Sequence, residues 1–194
     1  MTTDAARPAC VILAGGAGRR IGGRKAFVVL GERPLIAHVI DRLAPQVAGM
    51  AINATPDPAL DEFGLPVLPD EVPGRGPLGG IHAAMDWAAR SGEVRVMTVS
   101  VDTPFLPFDL VQRLSASRAR AAVAATADGL HATTGLWSVD LQPSLLEALD
   151  GGARKVRDWT ASIGAEAVPF DDASAFLNVN TAEDLRQAEA RLLR

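Results

Sequence analysis

The sequence predicts an α/β sandwich, a mostly parallel sheet with helices on both faces. Three observations carry this. Apolar runs of strand length alternate with segments of helical period, and strand–helix–strand succession implies parallel pairing with right-handed crossovers. No fixed-period repeat or long low-complexity linker interrupts the 194 residues, which suits one domain over 1–194. Polar residues recur directly after the apolar runs, at the strand ends where such sheets bind ligands.

In chain order, Ala9–Ala14 (ACVILA) reads as a buried strand. Pro34–Ala44 places Leu35, Ile36, Val39, Ile40 and Leu43 on one helical face, with Pro34 suited to a helix start. Met50–Ala54 and Pro66–Leu68 read as short strands, Leu78–Ala89 as a helix and Val94–Val101 (VRVMTVSV) as a strand. Leu110–Leu114 continues a helix, and Arg120–Thr126 a strand. Leu145–Leu149 and Val156–Ile163 look helical. Ala175–Val179 reads as a strand and Ala182–Leu193 as a helix, capped by Thr181 with Asp184 three residues on.

Composition narrows the function classes. A formal net charge of −4 offers no global basic field for nucleic acid. No apolar run approaches the roughly 20 residues of a membrane span, and the polar N-terminus MTTDAARPA lacks a signal-peptide layout. The single cysteine, Cys10, lies in an apolar run and reads as a buried, inert thiol. With only His38, His82 and His131 beside it, a structural zinc site is not expected. A cytoplasmic location is the default.

The chemistry concentrates in 13-LAGGAGRRIGGRK-25. Five glycines and four cations fall within Gly15–Lys25, directly after the first strand. Glycines let backbone N–H groups approach an anion, and Arg19, Arg20 and Lys25 suit a triphosphate. The loop is not a Walker A motif, because Lys25 follows Arg24 and precedes Ala26. Nor is it the dinucleotide fingerprint, because Arg19-Arg20-Ile21 stands where its last glycine belongs.

Other strand ends add candidates. Asp102, in 96-VMTVSVDTPFLP-107, offers Mg²⁺ a hard oxygen ligand, or is a turn aspartate before Thr103-Pro104. In 70-DEVPGRGPLGG-80, Asp70 could face a ligand and Arg75 a phosphate, or the segment is a connector. Asn178 and Asn180 alternate on one side of an extended segment, with helix capping as the other reading of Asn180. His131, in 129-GLHATTGLW-137, binds an anionic substrate or is structural. His38, His82, Trp137 and Trp159 read as structural.

Taken in order, LAGG-x-G-R-R-x-GG-x-K, LGERPLIAHVIDRL, GPLGG, VDTPFLP and NVNTAEDL resemble the molybdenum cofactor guanylyltransferase family from Val11 to about Leu185. The resemblance implies a Rossmann-like, three-layer α/β/α nucleotidyltransferase domain. It implies transfer of GMP from Mg²⁺-GTP to the terminal phosphate of molybdopterin, with release of pyrophosphate. Carried over, the nucleotide loop is Leu13, Ala14, Gly15 and Gly16, the phosphate lysine Lys25, and further nucleotide contacts Asn53 and Asp70. The metal aspartate is Asp102, and the pterin-side residues are Asn178 and Asn180, joined by His131.

The resemblance also favours guanine, since cytidylyltransferase relatives usually read LAAG at Leu13–Gly16. Two departures stand out. The family commonly carries Asp before the lysine, in a loop one residue longer, where this chain has Arg24; and its His-Pro-Thr reads His131-Ala132-Thr133.

The implied mechanism needs no protein nucleophile, because the attacking phosphate oxygen is already anionic. Asp102 would carry Mg²⁺, while Lys25, Arg19 and the loop amides stabilise the leaving pyrophosphate. Molybdenum-inserting proteins and apo-molybdoenzymes are conceivable partners. The competing readings are a pterin cytidylyltransferase, a sugar-1-phosphate nucleotidyltransferase and a non-catalytic GTP-binding module.

Overall fold

The computed structural model describes residues 7–15, 24–71 and 74–193. Nine strands are numbered along the described chain: β1 (Ala9–Leu13), β2 (Val29–Leu30), β3 (Arg33–Pro34), β4 (Met50–Asn53), β5 (Val67–Leu68), β6 (Arg95–Ser100), β7 (Ala121–Thr126), β8 (Gly129–Ser138) and β9 (Glu166–Pro169). β2 and β3 form a small hairpin. The other seven form one sheet in the order β5-β4-β1-β6-β8-β7-β9. Every pairing in it is parallel except the two made by β8.

Side-chain alternation builds the three layers. In β1, Cys10 and Ile12 face one core while Val11 and Leu13 face the other, as a period of two on a doubly covered sheet requires. The first core takes Ile36 and Val39 from α1 (Leu35–Leu43) and Leu110 and Leu114 from α3 (Leu110–Ser115). The second takes Ile81 and Met85 from α2 (Pro77–Arg90), Leu145 from α4 (Gln142–Asp150) and Trp159 from α5 (Val156–Ser162). Each fully buried Leu or Ile contributes roughly 1.5–3 kcal/mol of transfer free energy.

α6 (Ala182–Leu192) begins with the expected capping box. The Thr181 hydroxyl accepts from the Asp184 N–H, and the Asp184 carboxylate accepts from the Thr181 N–H. Its Ala188 packs with Leu30, Leu35, Phe105 and Val179 in a small third core. That cluster ties α6 to the segment after β6.

Three elements depart from the sequence reading. β8 carries 129-GLHATTGLW-137, which was read for side-chain chemistry alone. It returns antiparallel from β7 through a two-residue link, Ala127-Asp128, with Gly129 at φ 117°; Asp-Gly between apolar runs is a hairpin signal. β9 is short and lies at the sheet edge, so few residues report it. The strand expected at Ala175–Val179 is instead a 3₁₀ turn over Ala173–Phe176 with an extended exit. The sheet position beside β7 is taken by β9, and residues 177–180 instead pass the carboxyl end of β6, where the Val179 N–H donates to the Asp102 carbonyl at 2.9 Å.

Candidate active site

Register brings the site together. Leu13 pairs with Asn53 on one side and Ser100 on the other, so three adjacent parallel strands end level. Leu68 of β5 lies beside Asn53 and places Asp70 two residues past the same edge. The carboxyl ends of these strands, the N-terminus of α2 and Lys25 enclose a cavity of about 350 Å³.

Two side-chain pairs face each other across it. Asn53 is buried, and its Nδ2 donates to Asp70 Oδ1 at 2.8 Å and to the Leu68 carbonyl at 3.0 Å. Opposite, Lys25 Nζ lies 2.5 Å from Asp102 Oδ2, with both side chains largely buried. Lys25 Nζ also donates to Asn180 Oδ1. Lys25 opens a short 3₁₀ turn, Lys25–Phe27, which delivers it from the loop exit to the end of β6.

Asp102 follows β6 directly. The Thr103 hydroxyl turns back to the Ser100 carbonyl at 2.8 Å, which accounts for the local turn. The Asp102 carboxylate is left facing the cavity. Among the described residues its Oδ1 is buried with no hydrogen-bond partner, which costs about 1–3 kcal/mol for a neutral group and more for a charge. An unpartnered anionic oxygen beside a polar cavity suits a divalent cation, and Mg²⁺ uses one or two carboxylates with phosphates completing its shell. Among the described residues no cluster of three or more His, Cys, Asp or Glu exists to form an all-protein cage. The donor set therefore fits a cation shared with a bound phosphate.

A second cavity of about 520 Å³ adjoins the first, with Thr133 lining both. His131, Lys155, Arg157 and Asn178 line it. His131 stacks on Phe176, ring centroids 4.4 Å apart at 17°, and its Nε2 lies 2.9 Å from Thr126 Oγ1. Burial lowers the His131 pKa from its ordinary value, and Asp128 works against this.

The candidates therefore divide. Leu13, Gly15, Asn53, Asp70, Lys25 and Asp102 share the first cavity, while Ala14 borders a neighbouring hollow with Gly15. His131 and Asn178 line the second. Asn178 and Asn180 are both exposed on either side of buried Val179, as the alternation anticipated, but Asn180 turns to Lys25, a residue of the first cavity. Gly16, Arg19 and Arg20 lie outside the described residues.

Of the two readings left open for Arg75, the structure bears out the connector. It donates to the Leu149 carbonyl and lies 3.3 Å from Asp150, so it serves the end of α4. His38 and Trp137 are structural as read: His38 Nε2 meets the Leu30 carbonyl at 2.9 Å, and buried Trp137 donates to Thr98. The Cys10 thiol is fully buried, and desolvation pushes its pKa up, so it is inert.

Sequence reasoning missed Gly80, Thr133 and Lys155. A Cβ at Gly80 would collide with Asn53 Oδ1 and stand 2.9 Å from Leu13 Cδ2. The GPLGG segment is thus a close approach of helix to strand that holds Asn53 in place. Lys155 had a legible signal, since Arg154, Lys155 and Arg157 put three cations at the start of α5. Thr133 gave none.

Residues 10–166 match the family described as the MobA-like NTP transferase domain. The molybdenum cofactor guanylyltransferase of Rhodobacter capsulatus is 47% identical over 189 residues, covering 96% of this chain and 97% of that one. The protein of the same name from Cereibacter sphaeroides is 46% identical, covering 94% and 95%. Among solved structures, the Archaeoglobus fulgidus molybdopterin-guanine dinucleotide biosynthesis protein A superposes with a TM-score of 0.78 over 95% of this chain and 98% of that one. At 23% identity, that likeness concerns the fold.

Proposed function

Because this chain belongs to the molybdenum cofactor guanylyltransferases within the MobA-like NTP transferases, we propose that its first cavity holds GTP and its second the pterin. The protein is a nucleotidyltransferase: it transfers GMP from GTP to molybdopterin, forming the guanine dinucleotide and releasing pyrophosphate. The observation that carries the site assignment is the pairing of Lys25 with Asp102 beside a carboxylate oxygen that has no partner among the described residues.

Roles follow from position and, for Gly16 and Arg19, which lie outside the described residues, from the sequence alone. The backbone of Leu13, Ala14 and Gly15 approaches the nucleotide, Gly16 belongs to the same loop motif, and Asn53 with Asp70 forms the wall that receives its polar edge. Asp70 keeps one carboxylate oxygen beyond its bond to Asn53, and a carboxylate suits the N–H donors of guanine. Lys25, with Arg19, neutralises charge on the phosphates and on the departing pyrophosphate. On the acceptor side, His131 on its Phe176 stack offers a flat surface to a pterin ring. Lys155 and Asn178 there suit the terminal phosphate.

Asp102 is the residue that would hold Mg²⁺. The cation, when bound, adds positive charge against the triphosphate. The attacking phosphate oxygen is already an anion, so no residue has to remove a proton. What the protein supplies is positioning and preorganised charge. Delivery by a molybdenum-inserting protein, hand-over to apo-molybdoenzymes and a cytoplasmic location belong to this reading.

The deciding experiment is pyrophosphate release with Mg²⁺ and molybdenum-loaded molybdopterin, run in parallel with GTP, CTP, ATP and UTP. Release with GTP alone, dependent on the pterin, is expected. Release with CTP would transfer the assignment to cytidylyl transfer. GTP binding without any release would leave a non-catalytic module.

A further inference from the structure

We propose that Arg24 is a positioning residue: gripped by Asp57 and laid on Phe27, it fixes the exit of the glycine loop and aims Lys25 at Asp102. The inference rests on the reading of Lys25 as a phosphate-binding residue.

Backbone strain is the first observation. Arg24 adopts φ 43°, ψ 61°, and among the described residues it is the only non-glycine with positive φ. Side-chain-bearing residues persist there only where their surroundings over-determine them, and such sites cluster at functional positions. Glycine would adopt this conformation freely, and 22-GGRK-25 has glycine at the two preceding positions. The arginine side chain must therefore supply something glycine lacks.

What it supplies is a three-way anchor. The Arg24 guanidinium pairs with Asp57 Oδ2 and lies 4.4 Å from the centroid of Phe27. Phe27 packs on Phe63, centroids 6.4 Å apart. The Arg24 carbonyl accepts from the Phe27 N–H at 2.8 Å, closing the turn that begins with Lys25. Asp57 is itself held, because its Oδ1 accepts from the Ala59 N–H at 3.1 Å and caps the 3₁₀ segment Pro58–Phe63. The loop leaving β1 is thus fastened to the loop leaving β4, and Lys25 springs from the fastening.

The pair is too open to serve stability. The Arg24 side chain is 59% exposed and that of Asp57 31% exposed, and exposed ion pairs add little to folding. Position is what the anchor provides: an adjacent turn of backbone at Arg24 would swing Lys25 away from the carboxylate it now meets at 2.5 Å.

The test is a double-mutant cycle. Arg24→Gly keeps the backbone conformation and removes the anchor. Asp57→Asn keeps the cap on Ala59, since asparagine caps as well as aspartate, and removes the charge. Each should lower kcat/KM for GTP about tenfold and weaken GTP binding in step, with Tm nearly unchanged, because small misplacement of a phosphate-binding charge is costly. In a Lys25→Ala background the same changes should cost less than about twofold, since residues acting through one another are not additive. Arg24→Lys, which keeps the charge, should recover part of the loss.

An equal loss in the Lys25→Ala background overturns the proposal, as does a loss that follows Tm or no loss at all. The same cycle read as GTP affinity by calorimetry decides it even if the wild-type chain transferred no GMP. Failure of the functional reading and failure of this one therefore remain distinguishable.

Discussion

Lys25 Nζ and Asp102 Oδ2 lie 2.5 Å apart although 77 residues separate them in the chain. The lysine comes from the turn that closes the glycine loop, and the carboxylate from the end of β6. Their contact neutralises a negative charge at the place where a metal–triphosphate complex is read to bind. Asn180, from the segment leading into α6, accepts a second hydrogen bond from the lysine. Four predictions test this arrangement and the elements that frame it.

Lys25→Ala should slow GMP transfer by about 10²-fold, since one preorganised charge donor contributes roughly 3 kcal/mol to a transition state. Asp102→Asn should lose at least as much while leaving the thermal unfolding curve in place. Steady-state kinetics with GTP and pterin, read beside calorimetric Tm, checks both. Full activity in Asp102→Asn would remove the aspartate from the metal site.

Lys25 and a cation compete for one carboxylate. Lys25→Met should therefore tighten binding of Mn²⁺ to the nucleotide-free protein by about tenfold or more, because an opposite charge at contact distance is removed. The same change should weaken GTP binding. Electron paramagnetic resonance titration of free Mn²⁺ reads the first effect directly. Equal Mn²⁺ affinity in the two proteins would show that the ion pair does not guard the site.

Gly80→Ala forces a methyl group into Asn53 and Leu13, two residues of the site wall. Overpacking of this kind costs about 1–3 kcal/mol, or several degrees of Tm for a domain of this size. GTP affinity should fall with it, since Asn53 must shift off Asp70. Gly79→Ala should be milder, because its Cβ would meet the Arg75 Cβ at 3.1 Å and the Asp70 carboxylate at 3.4 Å. Equal Tm values for Gly80→Ala and the parent would contradict the packing described.

His131 links stability to pH. Its folded pKa is lowered by burial, so the unfolded chain takes up the proton first. The neutral ring's contribution is complete above the ordinary value of 6.5 and is lost as pH falls through the lowered folded value. The Tm difference between about pH 7.5 and pH 5.5 should shrink in His131→Gln, which cannot titrate. An unchanged difference would assign the slope to other groups.

Much of the frame was legible before the fold was seen. The alternation of strand and helix, the capping box at Thr181–Asp184 and the placement of Asp70 and Asp102 after strands follow from local pattern. Where the sequence misled, a non-local choice intervened. Ala175–Val179 has strand-like residues, yet β9 occupies the sheet position it would need. β8 carries small and polar residues through Thr134 with weak apolar alternation, and its reversal depends on the turn at Asp128-Gly129. For Arg75 local pattern left phosphate and connector both open, and only the approach of the end of α4 decided for the connector.

By itself the sequence determined the α/β class, the glycine loop with its cations, and the identity of the polar groups at the strand ends. These depend on periodicity and residue chemistry, which act over a few positions. Only the tertiary structure decided that Lys25 meets Asp102, that Asn53 holds Asp70, and that Asn178 lines one cavity while Asn180 accepts from the lysine of the other. Those contacts arise from strand order and register, and hence from the burial of two apolar cores against one sheet, a balance summed over the whole chain.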